Sequence, residues 1–111
     1  MQIRFRSSKL QKTCSDERLL VKAYGASCGR KVARRLTVLR AAQSLADVPK
    51  LPPDRCHPLK GGREGQFAVD VEQPHQLIFR PDHDPVPETN DGGVDLTQVT
   101  EIEIIEIEDY H

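Results

Sequence analysis

The hydrophobic pattern of this chain leaves helical spacing for good near residue 66, and that switch limits what it can fold into. Between about Ser27 and Asp47, Val32, Leu36, Leu39, Ala42 and Ala46 recur at helical spacing, with Arg30, Lys31, Arg34 and Arg40 turned away from them. Pro49, Pro52 and Pro53 end that helix. Beyond the switch, Phe67, Val69 and Val71 alternate with Ala68, Asp70 and Glu72, and Leu77-Ile78-Phe79 reads as the unbroken apolar run of a central strand. In the last segment, from Val99, Ile102 and Ile104 share one phase while Ile105 and Ile107 take the other. That break means either burial on both faces or a β-bulge near Ile104.

Before the long helix, Ile3 and Phe5 alternate with charged neighbours as in a half-buried strand. Ser7 and Ser8 are good caps for a short helix to about Cys14. Ser15-Asp16-Glu17 caps another short helix, which carries Leu19, Leu20 and Ala23 and stops at Gly25. Residues 48–66 read as a loop, and residues 81–96 as an acidic, Pro- and Gly-rich excursion expected to be mobile. Helices first and strands later predict an α+β fold, with helices packed on one face of a four-stranded sheet.

At 111 residues the chain makes one domain, 1–111, with no room for a large enclosed cofactor. No run approaches eighteen apolar residues, which excludes a membrane span, and the charged N-terminal stretch does not read as a signal peptide. Cys14, Cys28 and Cys56 form no CxxC or CxxH pair. They argue against a zinc site or disulfide framework and fit buried apolar residues in a reducing cytoplasm.

The net charge of −1 conceals a split. Residues 1–63 carry fifteen of the sixteen Lys and Arg against four acids; residues 64–111 carry Arg80 against thirteen. Either the basic half meets a polyanion, or the two halves neutralise each other in the fold.

His83 reads as a solvated loop residue and His75 as a packing or turn residue. His57 stands among Arg55, Lys60 and Arg63, in a loop whose amides also suit phosphate. Glu108-Asp109-Tyr110-His111 follows the last apolar strand directly. An imidazole, a phenol and a carboxylate facing His57 and Lys60 would form an acid/base site able to work near neutral pH. Cleavage of RNA by its own 2′-hydroxyl needs a base for that hydroxyl, an acid for the leaving 5′-oxygen and cations for the charge growing on the phosphate.

These residues resemble the HigB branch of the RelE/ParE superfamily of toxin–antitoxin toxins. His57-Pro58-Leu59-Lys60-Gly61-Gly62-Arg63-Glu64-Gly65 is close to that family's HPLKGDRxG, and Asp109-Tyr110-His111 matches its terminal DYH. The likeness covers roughly residues 1–6 and 28–111. It implies a β-α-α-β-β-β fold, mainly antiparallel, and a cytoplasmic, ribosome-dependent mRNA endonuclease that needs no cofactor or metal. The implied partners are a HigA-like helix-turn-helix antitoxin, the ribosome and mRNA, with operator DNA reached only through the antitoxin and no membrane. Carried over, His57 and His111 would be the acid/base pair, with Asp109 and Tyr110 positioning and polarising. Lys60, Arg63 and Gln76 would bind RNA. Two positions depart from the family: Gln76 stands where an Arg is usual, and Gly62 where an Asp is. A neutral amide supplies no charge to a developing dianion, and losing one such donor costs about 10² to 10³ in rate. The alternatives are a non-catalytic toxin, as in the gyrase-inhibiting ParE branch, or an attenuated toxin that only binds its antitoxin.

Overall fold

A computed structural model describes residues 1–109, the last of them by its backbone alone. Strand β1 (Gln2–Phe5) is followed by helices α1 (Ser8–Cys14), α2 (Glu17–Tyr24) and α3 (Ala26–Ala41), then by β2 (His57–Pro58), β3 (Phe67–Asp70), β4 (His75–Pro81) and β5 (Glu101–Asp109). The sheet order is β1-β5-β4-β3-β2, with β1 parallel to β5 and every other pairing antiparallel. The expected four-stranded sheet is therefore a five-stranded mixed one. The missing strand lay in the loop reading of residues 48–66: two residues ending in proline carry no period, and pairing with β3 makes them a strand. The three helices read from the sequence are present, one more than the β-α-α-β-β-β order that the resemblance implies.

The caps follow the sequence. The Ser7 side chain accepts from Leu10 N–H and Asp16 from Arg18 N–H, while Gly25 closes α2 and opens α3. Helix α3 ends at Ala41, short of the expected Asp47, and a separate 3-10 turn spans Leu45–Asp47. Cys14, Leu20, Val32, Leu36 and Leu39 of the helices pack on Phe67, Val69, Leu77, Phe79, Ile102 and Ile104. Each large side chain so buried contributes roughly 1.5–3 kcal/mol. Strand β4, with its continuous apolar run, is central.

The phase break in β5 is a bulge. Ile78 pairs with Glu106 but Phe79 with Ile104, so Ile105 has no partner across the strand. It drops instead into a second cluster with Leu59, Ala68 and Ile78 on the face away from the helices. That outer face also carries Asp70 and Gln76, which pair in register. Among the described residues no helix is long and apolar enough to cross a membrane.

The acidic excursion is tied down. His83 Nε2 accepts from the N–H groups of Thr100 and Glu101 at 3.1 and 3.3 Å, so His83 anchors the start of β5 rather than merely facing water. Glu88 and Val94 form an isolated bridge, and Val94 and Leu96 pack against the core. His75 meets Tyr24 edge to face, ring centres 6.0 Å apart, as a packing residue does.

Candidate functional site

Strand β2 brings His57 opposite Ala68 on the outer face, and Leu59 N–H donates to Gln66 carbonyl at 2.9 Å to continue the pairing. Gly61 and Gly62, at φ +68° and +89°, turn the chain between them; side-chain-bearing residues rarely adopt that geometry, which suits glycine at position 62. His57 Nδ1 lies 2.6 Å from Arg55 carbonyl. A carbonyl only accepts, so Nδ1 carries the hydrogen and the neutral ring keeps its lone pair on Nε2.

The same Arg55 reaches Asp70. Its Nε and Nη2 donate to the two carboxylate oxygens at 2.6 and 2.9 Å, and Gln76 Nε2 donates to Asp70 Oδ1 at 2.9 Å. A continuous chain of hydrogen bonds thus runs His57–Arg55–Asp70–Gln76. Partial burial works against ionisation of Asp70, but the bonds from Arg55 and Gln76 outweigh it and hold its carboxyl below the ordinary range. Arg55 is at φ +45°, a conformation non-glycine residues avoid. Its N–H bond to Leu51 carbonyl and its grip on Asp70 hold it there. Arg35 braces the arrangement from beneath: buried, it donates to the carbonyls of Asp70 and Pro53 and lies 3.6 Å from Asp54.

One end of the chain, His57, borders a cavity of about 380 Å³ with Leu45, Phe67, Val94 and Leu96. The other end, Gln76, borders one of about 280 Å³ at the β3–β4 turn.

The remaining expected residues divide. Lys60 is exposed beyond β2. Arg63 is occupied: it donates to Gln66, Glu106 and Glu108 at 2.8, 2.7 and 2.6 Å. The Arg63 hydrogen bond holds the Glu106 carboxyl below its usual value. Asp109 stands across from His75 in register, whereas Glu108 stands across from Gln76. Tyr110 and His111 lie outside the described residues. Sequence reasoning missed Arg55 and Asp70 as partners. The only signal was Asp70 on the polar face of β3, with Arg55 two residues before His57.

Both readings of the charge split hold in part. Arg4, Lys31, Arg55 and Arg63 each pair with a carboxylate of residues 64–111. Arg30, Arg34 and Arg40 stay exposed on α3, the layer opposite the His57 face. The thiols of Cys14 and Cys56 are pushed up by burial to about 11, which makes them poor nucleophiles.

No protein-family model and no curated protein matches this sequence. Solved structures do match. A YoeB/ParE toxin from Agrobacterium tumefaciens is similar over 100% of both chains, with TM-score 0.56 and 14% identity. The YoeB dimer from Staphylococcus aureus is similar over 100% of this chain and 97% of that one, with TM-score 0.54 and 13% identity. The fold is that of these toxins. At this identity the likeness establishes the YoeB/ParE-type fold; chemistry has to be argued from the residues of this chain.

Proposed function

We propose that this chain is the toxin of a type II toxin–antitoxin pair, and that it acts in the cytoplasm as a ribosome-dependent mRNA endoribonuclease of the HigB type. The observation that carries the reading is His57, whose Nδ1–H is spent on the Arg55 backbone carbonyl, leaving Nε2 as a proton acceptor. In this reading Nε2 takes the proton of the 2′-hydroxyl, and the hydroxyl oxygen attacks the adjacent phosphate. Arg55 and exposed Lys60 offset the charge that grows on the phosphate oxygens. The proton for the leaving 5′-oxygen comes from the terminal Asp109-Tyr110-His111 group. A helix-turn-helix antitoxin and the ribosome are the partners, and the exposed arginines of α3 suit ribosomal RNA, with binding that weakens steeply as salt rises.

The test is addition of the purified protein to translating ribosomes on a defined mRNA, with the new 5′-ends mapped. Cuts inside translated codons that vanish in His57→Ala support the reading. Intact mRNA together with unimpaired growth on induced expression sinks it.

A second reading, a toxin that binds without cutting, draws support from neutral Gln76 and from Arg63 already held by two glutamates. DNA breaks with intact mRNA would point to a gyrase-type target. Capture of the antitoxin without toxicity would point to an attenuated toxin.

A further inference from the structure

Leu59 N–H donates to Gln66 carbonyl, and His57 stands opposite Ala68. Bonded pairs in an antiparallel ladder recur every second residue, so the next pair in this register is Arg55 with Asp70. Their backbones do not make it. Arg55 turns out of the strand at φ +45° and sends its N–H to Leu51 carbonyl, while Asp70 N–H goes to Asp54 carbonyl at 2.8 Å. The Arg55 carbonyl, spared from the ladder, is the one that accepts from His57 Nδ1.

A side chain from the helix layer takes the place that Arg55 N–H would have at the Asp70 carbonyl. Arg35 Nε donates to that oxygen at 2.6 Å, its Nη2 reaches Pro53 carbonyl at 3.4 Å, and Nε lies 3.6 Å from Asp54 Oδ1. Arg35 sits on the buried side of α3 with Val32, Leu36 and Leu39, and is 6% exposed. A guanidinium is costly in such a place unless its donors are used. These are used on the two segments that flank the break in the ladder.

We infer that Arg35 is a positioning residue for His57: by occupying the Asp70 carbonyl it stops the β2–β3 ladder at His57, and so leaves the Arg55 carbonyl to fix the hydrogen on His57 Nδ1. Without the guanidinium, Arg55 relaxes from its positive φ into the next ladder pair, and its carbonyl turns to Asp70 N–H. Both ring nitrogens of His57 then compete for one hydrogen. The tautomer follows from the geometry alone; a loss of catalysis with it rests on the RNA-cleaving reading.

The test is ¹⁵N NMR of the His57 ring in the full chain at about pH 8, where an imidazole is neutral. The parent should show a single tautomer with the hydrogen on Nδ1. In Arg35→Met the two ring nitrogens should shift toward each other. That variant leaves Asp54 buried without its cation, so Arg35→Met with Asp54→Asn is measured beside it and removes the stranded charge. Where the parent cuts mRNA, the single-turnover rate on saturating ribosomes should fall by about tenfold or more in either variant, part of the roughly 10² to 10⁴ that a positioned base contributes. A parent ring with its hydrogen on Nε2 overturns the assignment, as does an unchanged tautomer in a folded variant. The expected tautomer change in a protein that cuts no mRNA keeps the positioning role and removes the nuclease. Lost cleavage with the tautomer unchanged does the reverse.

Discussion

Arg55 holds Asp70 by two points at once, Nε at 2.6 Å and Nη2 at 2.9 Å from separate carboxylate oxygens. That pair joins two segments fifteen residues apart and fixes Arg55, whose own backbone carbonyl orients His57. It also brings a guanidinium to the outer face of the sheet, where position 76 supplies only an amide. In the proposed mechanism the cation therefore comes from the loop before β2 rather than from β4.

Removing that guanidinium should be costly for cleavage. Arg55→Ala is expected to lower single-turnover cleavage on programmed ribosomes by about 10² to 10³. Arg55→Lys should fall by roughly tenfold or more, because an ammonium does not make the two-point contact. Gln76 already reaches Asp70, so Gln76→Arg in the Arg55→Ala background should recover part of the rate. An Arg55→Ala protein that cuts at the parental rate would remove Arg55 from the mechanism.

Arg63 gives a prediction of opposite sign. It is shared by Glu106 and Glu108, so phosphate must compete with two carboxylates for it. Changing both glutamates to glutamine should strengthen binding to single-stranded RNA. The plot of log affinity against log salt should steepen by about 0.7, the increment for one phosphate contact on a single strand. An unchanged slope would mean that Arg63 is purely structural.

Much of the layering was legible because burial imposes periods. The α3 stripe, the alternation in β3, the continuous run of β4 and the phase break at Ile105 each mark a buried face, and each appears in the fold. His57-Pro58 was not legible as a strand: two residues show no period, and only Ala68 and Phe67 opposite them create the pairing. The Arg55–Asp70 pair was hidden for a related reason. Charge in a sequence is a count, whereas an ion pair depends on the register that brings residues 55 and 70 together. His83 reads as solvated from its acidic surroundings, because backbone donors at Thr100 and Glu101 leave no mark in side-chain composition.

The helix layer depends on one glycine. A β-carbon at Gly29 would lie 2.6 Å from Val21 nitrogen and 2.7 and 2.8 Å from Leu20 carbon and oxygen, all backbone atoms of α2 that have no rotamer to escape into. Gly29→Ala should therefore push α2 from α3, at a cost of about 1–3 kcal/mol despite alanine's better helix propensity. The melting temperature should fall by roughly 4 °C or more, measured by circular dichroism. A variant as stable as the parent would show that the two helices separate freely.

Asp70 sets a pH dependence whose sign follows from its direction of shift. Its carboxyl is held below the ordinary 3.8 in the folded chain, burial being outweighed by the bonds from Arg55 and Gln76. The unfolded chain therefore binds the proton more tightly than the folded one. The contribution of Asp70 to stability is fully present above about pH 5, and it is lost as the pH falls past 3.8 and through the lower folded value. Asp70→Asn should accordingly be less stable than the parent at pH 7, and the gap between their urea midpoints should narrow steadily from pH 5 to pH 3. The pair is partly exposed, so the gap at pH 7 should be modest and should shrink further in high salt. A gap that stays constant over that range would mean that the Asp70 charge contributes nothing to holding Arg55 and that its effect is steric.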